Sequence, residues 1–188
     1  MGKEYSDEEL MLKYRNNDAS AFESLYQRHK GSLYRYILRQ CGNEAIAEEL
    51  FHDVWIKLIN ARGRYKVKSR FTTWLYKMAH NRIIDHYRRQ NTSSSKHHPD
   101  DDKLYIDSLA IRPQEQPEQL AELQQQSDKI LQTLETLPLP QREVFLLKEE
   151  AGRTIQQIAE ITGVSAETAK SRLRYAISKL RQAVREQV

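Results

Sequence analysis

The segment from Thr154 to Arg181, TIQQIAEITGVSAETAKSRLRYAISKLR, carries side chains suited to reading base edges in duplex DNA. On a helical wheel of ~100° per residue, Thr168, Ser171, Arg174, Tyr175 and Ser178 collect on one face. Lys170, Arg172, Lys179 and Arg181 flank that face at positions suited to phosphates. Ala169, Leu173, Ile177, Leu180 and Val184 recur at spacings of four and three and form the stripe expected to be buried. A preceding short helix is signalled by Thr154 and Gln157, a capping-box pair. Gly163 supplies the left-handed geometry a tight helix-to-helix turn requires. Ser165 caps the second helix and Glu167 sits in its first turn, where the macrodipole favours an acid. Helix, tight turn and helix make a helix-turn-helix, whose second helix enters the major groove.

A second constellation lies in RFTTWLYKMAHNRIIDHYRR, residues 70–89. Phe71, Leu75, Met78, Ala79 and Ile83 form its apolar face. Arg70, Trp74, Lys77, Asn81 and Arg88 fall on another side. Cations, an amide and a large aromatic in one stripe suit single-stranded nucleic acid, because bases stack on the ring while cations follow the backbone. The loop before it, from Arg62 to Arg70, adds five cations and Tyr65. Arg82 and His86 fall on the apolar side, where periodicity offers no role for them.

The stretch from Glu44 to Ala61 has the opposite character. Glu44, Glu48, Glu49 and Asp53 precede its first base, Lys57. Ala47, Leu50, Phe51, Val54 and Leu58 form its core stripe, which leaves Trp55, Ile56 and Ile59 directed elsewhere beside His52, Glu48 and Glu49. Apolar groups among acids are poor DNA-binding chemistry and suit a docking face for another protein. The one cluster with metal-ligand chemistry is His97-His98 with Asp100, Asp101 and Asp102. It lies in a polar run with no surrounding shell to fix its geometry, so neither a metal site nor a nuclease centre is expected. No nucleophile–base pair, phosphate loop or cysteine-based zinc site occurs. The expectation is a protein with no catalytic residues, no metal and no cofactor.

These groups need helices to position them, and the chain reads as all-α. The expected elements are Asp7 to Arg15; a helix capped by Asp18, running to about Gln40 and closed by Gly42; one capped by Asn43, running to about Ala61; and one from about Arg70 to Arg89. Their apolar faces define an N-terminal domain over residues 1–90. Residues 91–115 are polar and acidic and read as a flexible linker. Residues 116–188 form the helix-turn-helix domain, with Pro140 in the first turn of one of its helices. Net charge is only +4 over 188 residues, but it is unevenly spread. Residues 1–90 hold 17 Lys+Arg against 11 Asp+Glu, residues 91–137 hold 4 against 9, and residues 138–188 hold 9 against 6. Two basic ends about an acidic middle suggest two nucleic-acid-facing modules on a tether. The single cysteine, Cys41, excludes an internal disulfide and suits a reducing compartment. No apolar run approaches the ~20 residues of a membrane span, so a cytoplasmic location is expected.

Three blocks, AEELFHDVWIKLINARGRY, FTTWLYKMAHNRIIDHYRR and LPLPQREVFLLKEEAGRTIQQIAEITGVSAETAKSRLRYAISKLR, resemble in their order a bacterial sigma factor of the sigma-70 family, in the short two-domain form of the extracytoplasmic-function (ECF) group. The resemblance implies a region 2-like four-helix domain and a region 4-like helix-turn-helix domain. It implies binding to core RNA polymerase, direction to promoters and help in melting DNA for transcription initiation. Glu49, His52, Asp53, Trp55, Ile56 and Ile59 would meet the clamp helices of the largest polymerase subunit, and the C-terminal domain would meet the flap. Lys57, Tyr65, Phe71, Trp74 and Asn81, with Arg70, Lys77 and Arg88 of the stripe, would hold the melted minus-ten element as single strand. Lys170, Ser171, Arg172 and Arg174, with Ser165, Thr168, Tyr175 and Lys179 on the same helix, would read the minus-thirty-five element as duplex. An anti-sigma factor is the further partner implied, one that could hold the protein near the inner membrane without membrane insertion. The chain departs from the usual pattern at His52, His80, Arg82, Gln157, Ala169 and Tyr175. A stand-alone helix-turn-helix regulator would explain residues 154–181 but leaves the Trp74 stripe and the acidic helix without a role.

Overall fold

The computed structural model describes residues 5–93 and 129–185, all helix, turn or loop. Local chemistry starts most of the helices. In α1 (Asp7–Arg15) Ser6 and Glu9 form a reciprocal capping box. The Asp18 carboxylate accepts from the Ser20 and Ala21 amides to open α2 (Ala19–Cys41), and Gly42 closes it at φ 66°. Asn43 accepts from the Ile46 amide at the start of α3 (Glu44–Ala61). A 3-10 turn, Arg62–Arg64, leads into the basic loop and then α4 (Phe71–Ser93), which continues past the expected end at Arg89. The start of α4 is held from across the domain, since the Phe71 amide donates to Glu8 of α1 at 2.8 Å. That link ties the loop and the Trp74 stripe to the body of the fold.

The core of this half lies among α2, α3 and α4. Leu25, Leu33, Ile37, Leu50, Val54, Leu58, Phe71 and Leu75 are wholly buried in it. The expected apolar faces of α3 and α4 are all buried, with Thr72, Thr73 and Tyr76 added to the α4 face.

In the C-terminal half, residues 129–136 are helical. They precede α5 (Leu139–Glu149), which has Pro140 in its first turn. Then come α6 (Ile155–Thr162) and α7 (Ala166–Arg185). Thr154 and Gln157 form the expected capping box. Gly163 turns the chain at φ 69°. Its missing Cβ would meet nothing within 4 Å, so the requirement there is conformational, not steric. Gly163→Ala is expected to destabilise the protein by about 1–2 kcal/mol, the cost of a left-handed alanine. Gly63, which keeps φ negative and has equally open space, should accept alanine with little change. Denaturant midpoints of the two variants check this.

The stripe on α7 differs in part from the periodic reading. Ala169, Ala176 and Leu180 are buried, while Leu173, Ile177 and Val184 are half-buried. Helix α7 packs on α5 and α6, and its small Ala169 and Ala176 are wholly buried. The linker assigned to 91–115, and with it His97, His98 and Asp100 to Asp102, lies outside the described residues beyond Ser93. The two halves touch directly, α4 against α6 and α2 against α5.

Candidate nucleic-acid interface

Helix α4 presents Lys77, Asn81 and Arg88 exposed along one side, with Trp74 half-buried among them and Arg70 exposed just before the helix. Trp74 rests on an aromatic floor, its ring centroid 5.0 Å from Tyr65 and 6.3 Å from Phe71. Both floor residues are buried, Tyr65 at 3% and Phe71 at 0% exposure. Tyr65 and Phe71 therefore lie against Trp74 as its buried support, and of the three rings Trp74 alone is partly exposed. Burial pushes the Tyr65 phenol up to about 12, with Glu8 and Asp7 adding to the shift, so it stays neutral. The loop above it is pinned by Arg15, whose guanidinium donates to the Tyr65 carbonyl at 3.2 Å. Arg64, Lys66, Lys68 and Arg70 are left facing outward, and Lys57 at the end of α3 is also exposed. A half-exposed indole on an aromatic stack, with exposed cations and an amide on the same helix side, can hold an unpaired base.

On α7 the Ser165 hydroxyl accepts from the Thr168 amide at 3.1 Å, which caps the helix as expected. Thr168, Lys170, Ser171, Arg174, Tyr175 and Lys179 are exposed, and Arg172 is half-buried. Tyr175 is 48% exposed, with the Lys179 ammonium 5.9 Å from its ring centroid. Among the described residues Lys170 and Arg174 enter no ion pair. Their charge is open to an incoming anion.

Helix α3 turns out to be buried on two sides. Trp55, expected to point away from the core, is only 4% exposed. Its ring packs 5.0 Å from Tyr26 and 5.8 Å from Phe22, both on α2. A wheel drawn for α3 alone cannot anticipate this, because α3 packs against α2 and α4 at once. Glu48, Glu49, His52 and Ile56 do face solvent, with Asp53 and Ile59 half-buried. Ile56 is 55% exposed, among the largest apolar exposures of the described residues. Arg82, which periodicity left without a role, donates from Nε to Asp53 at 2.7 Å and from Nη2 to Glu49 at 3.1 Å. Burial and the neighbouring Arg82 hold the His86 ring below the usual histidine value. Cys41 is a half-buried free thiol pushed up to about 12 by burial, and so is a poor nucleophile.

One set of groups escaped the sequence reading entirely. Glu143 of α5 is 6% exposed and accepts from the Tyr36 hydroxyl at 2.9 Å, with His80 Nδ1 at 2.6 Å. Burial and that carboxylate push the Tyr36 phenol well above its ordinary value, so Tyr36 remains a donor. Glu150 pairs with Arg35 at 3.0 Å and also with Arg39. Arg142 donates to the Gln40 carbonyl at 3.2 Å. Arg153 bonds the Thr72 hydroxyl and lies 5.9 Å from the Tyr76 ring centroid. Every one of these bonds joins the two halves. The available signal was Glu143 itself, an acid four residues after Leu139 and three before Leu146, on an otherwise apolar stripe.

The two halves match two different family models in the order of the chain. The Sigma-70 region 2 model matches residues 25–92, and the Sigma-70, region 4 model matches residues 127–180. The chain belongs to the sigma-70 family. Among its relatives, RNA polymerase sigma factor CarQ of Myxococcus xanthus is 27% identical over 94% of this chain and 96% of its own length. ECF RNA polymerase sigma factor SigW of Bacillus subtilis is 26% identical over 95% of this chain and 99% of its own. Two solved folds are similar. CnrH, in complex with the cytosolic domain of CnrY, has a TM-score of 0.69 at 21% identity and covers 97% of this chain and 99% of its own. The sigma factor RpoE of Bartonella quintana, in complex with the anti-sigma factor NepR, has a TM-score of 0.67 at 22% identity and covers 87% of this chain and 96% of its own. The region 2 match thus runs from within α2 to the end of α4, and the region 4 match takes in α5, α6 and most of α7. Among the described residues no helix is long and apolar enough to cross a membrane.

Proposed function

We propose that this chain is an ECF sigma factor that binds core RNA polymerase, directs it to promoters and helps melt the DNA, with no chemical step of its own. The observation that carries the reading is the pairing of two unlike nucleic-acid surfaces on one chain. The half-exposed Trp74 among cations suits an unpaired strand, and the exposed polar face of α7 suits a duplex groove. In this reading residues 1–90 dock on polymerase and hold the minus-ten element, residues 91–115 link the domains, and residues 116–188 read the minus-thirty-five element. Trp74, Asn81, Lys77, Arg70, Arg88 and Lys57 contact the melted strand while Tyr65 and Phe71 support Trp74. Ser165, Thr168, Lys170, Ser171, Arg172, Arg174, Tyr175 and Lys179 face the duplex. Glu49, His52, Asp53, Ile56 and Ile59 meet the polymerase clamp, with Trp55 holding that surface from below, and region 4 meets the flap. An anti-sigma factor is the proposed restraint, in the cytoplasm or close to the inner membrane.

Reconstituted transcription with purified core polymerase tests the proposal, with shared upstream sequences expected at the start sites. A stable dimer that binds palindromic duplex sites and never associates with polymerase would overturn it in favour of a stand-alone regulator. Arg174→Ala should cost about 1–3 kcal/mol at one position of the upstream element and relax the preference there. Equal weakening on all sequences would make Arg174 a phosphate contact.

A further inference from the structure

Helix α1 lies outside the segment that the region 2 model matches, which begins at residue 25. Its polar groups nonetheless converge on the loop that carries Tyr65. That loop has little to hold it in place by itself. Arg62, Arg64, Lys66, Lys68 and Arg70 repel one another along it. Its turns are closed by two backbone bonds, from the Tyr65 amide to the Arg62 carbonyl at 3.2 Å and from the Lys68 amide to the Lys66 carbonyl at 2.8 Å. Helix α1 fastens the loop at its start, middle and end. The Arg62 guanidinium lies 5.4 Å from the centroid of the Tyr14 ring. The Arg15 guanidinium donates to the Tyr65 carbonyl at 3.2 Å. The Glu8 carboxylate accepts from the Phe71 amide at 2.8 Å. This last bond caps α4 from another helix, since the first amides of a helix lack partners within it and favour an acid beside them.

Helix α1 is itself well anchored. Leu10, Met11 and Tyr14 are buried in the core. Asp7 accepts from Arg28 at 3.0 Å and lies 2.8 Å from His29 Nε2, both on α2. The His29 ring in turn is 5.5 Å from Phe71. Two neighbouring acids of α1 thus reach the first residue of α4 by different routes, Glu8 through its amide and Asp7 through His29 and the ring. Tyr65 and Phe71, the residues so fastened, are those that support Trp74. The buried Tyr65 hydroxyl has no hydrogen-bond partner among the described residues, so packing and the held backbone fix that ring.

We propose that α1 is the positioning element of the strand-holding site, with Glu8 and Arg15 fixing loop 62–70 so that Tyr65 and Phe71 present Trp74 to an unpaired base. The proposal rests on the sigma-factor reading above. Glu8 acts through the loop and touches no DNA, and its charge opposes DNA binding. The sign of its effect therefore separates two roles. If Glu8 acted through charge alone, its removal beside a basic loop would strengthen binding. As a brace, its removal frees the loop, and capture of a base must then order the loop as well as the strand.

Glu8→Ala and Glu8→Gln in the full-length chain test this, because glutamine keeps an oxygen for the Phe71 amide and alanine does not. With core polymerase on a linear duplex promoter located by start-site mapping, Glu8→Ala should lower run-off transcription about 3- to 10-fold, the order expected for one lost hydrogen bond. Glu8→Gln should stay close to wild type, and helical circular dichroism should be unchanged in both. Hydrogen exchange over residues 62–71 should be faster in Glu8→Ala, with exchange on α7 unaltered. In a Trp74→Ala background Glu8→Ala should cost nothing further, because the brace acts through that ring. The proposal is overturned if Glu8→Ala transcribes as well as wild type or better, if Glu8→Gln loses as much as Glu8→Ala, if the loss persists beside Trp74→Ala, or if loop exchange is unchanged. If loop exchange responds as expected but no form, wild type included, transcribes with core polymerase, the brace stands and the sigma-factor reading fails.

Discussion

Trp74→Ala should reduce transcription from a linear, fully duplex promoter by roughly 5- to 150-fold while leaving duplex binding at the upstream element intact. The range follows from the ~1–3 kcal/mol lost per base stacked on an aromatic side chain. Trp74 is placed for this role by its surroundings. Tyr65 and Phe71 fix the ring from beneath, so little entropy is lost when a base arrives. Cations of the loop and of α4 are exposed on both sides of Trp74 in the chain. Alanine removes the stacking surface and leaves the charges, so initial attraction to DNA should survive while capture of the melted strand fails. Trp74→Phe, which keeps a π face, should recover part of the loss. Run-off transcription measures the first effect and mobility shift on the upstream duplex measures the second. Unchanged transcription by the alanine variant would remove the strand-holding stripe from the argument.

The second large effect is expected at Ile56. Ile56→Glu should weaken association with core polymerase by tenfold or more, with thermal stability within the range of an ordinary surface change. An apolar side chain at 55% exposure, rimmed by Glu49, His52 and Asp53, has the arrangement of an interface anchor. Docking would remove it from water, and a carboxylate there would carry a desolvation cost with no partner supplied. Because Ile56 makes no core contribution, its replacement separates binding from folding. Trp55 cannot be used this way, since it is buried against Tyr26 and Phe22 and its loss would disturb both. Full polymerase affinity for Ile56→Glu would move the docking face elsewhere on region 2.

Much of the fold was legible because its signals are local. Asp18, Asn43, Thr154 and Ser165 cap helices through bonds to amides two or three residues ahead, and such bonds are written in the chain order. Gly42 and Gly163 close helices by backbone freedom alone. The exposed face of α7 and the α4 stripe were legible for the same reason, since a helix repeats every 3.6 residues whatever surrounds it. Periodicity failed where a helix meets two neighbours. It left Trp55 on an outward face and put Ile177 on the buried stripe of α7, where Ala176 is the wholly buried residue. Periodicity did put Phe71 on the buried face of α4, but it could not show that Tyr65 of the loop joins Phe71 against Trp74.

The sequence by itself determined which helices form, where most of them begin and end, and which polar side chains the solvent-facing sides of α4 and α7 present. Those properties depend on hydrogen bonds within a few residues and on the turn of a single helix. Only the tertiary structure decided that Arg82 reaches across to Asp53 and Glu49 and that Tyr36 and His80 share Glu143. These partners stand far apart in the chain. A charged group on an apolar face shows that a partner must exist, and packing between helices selects which one.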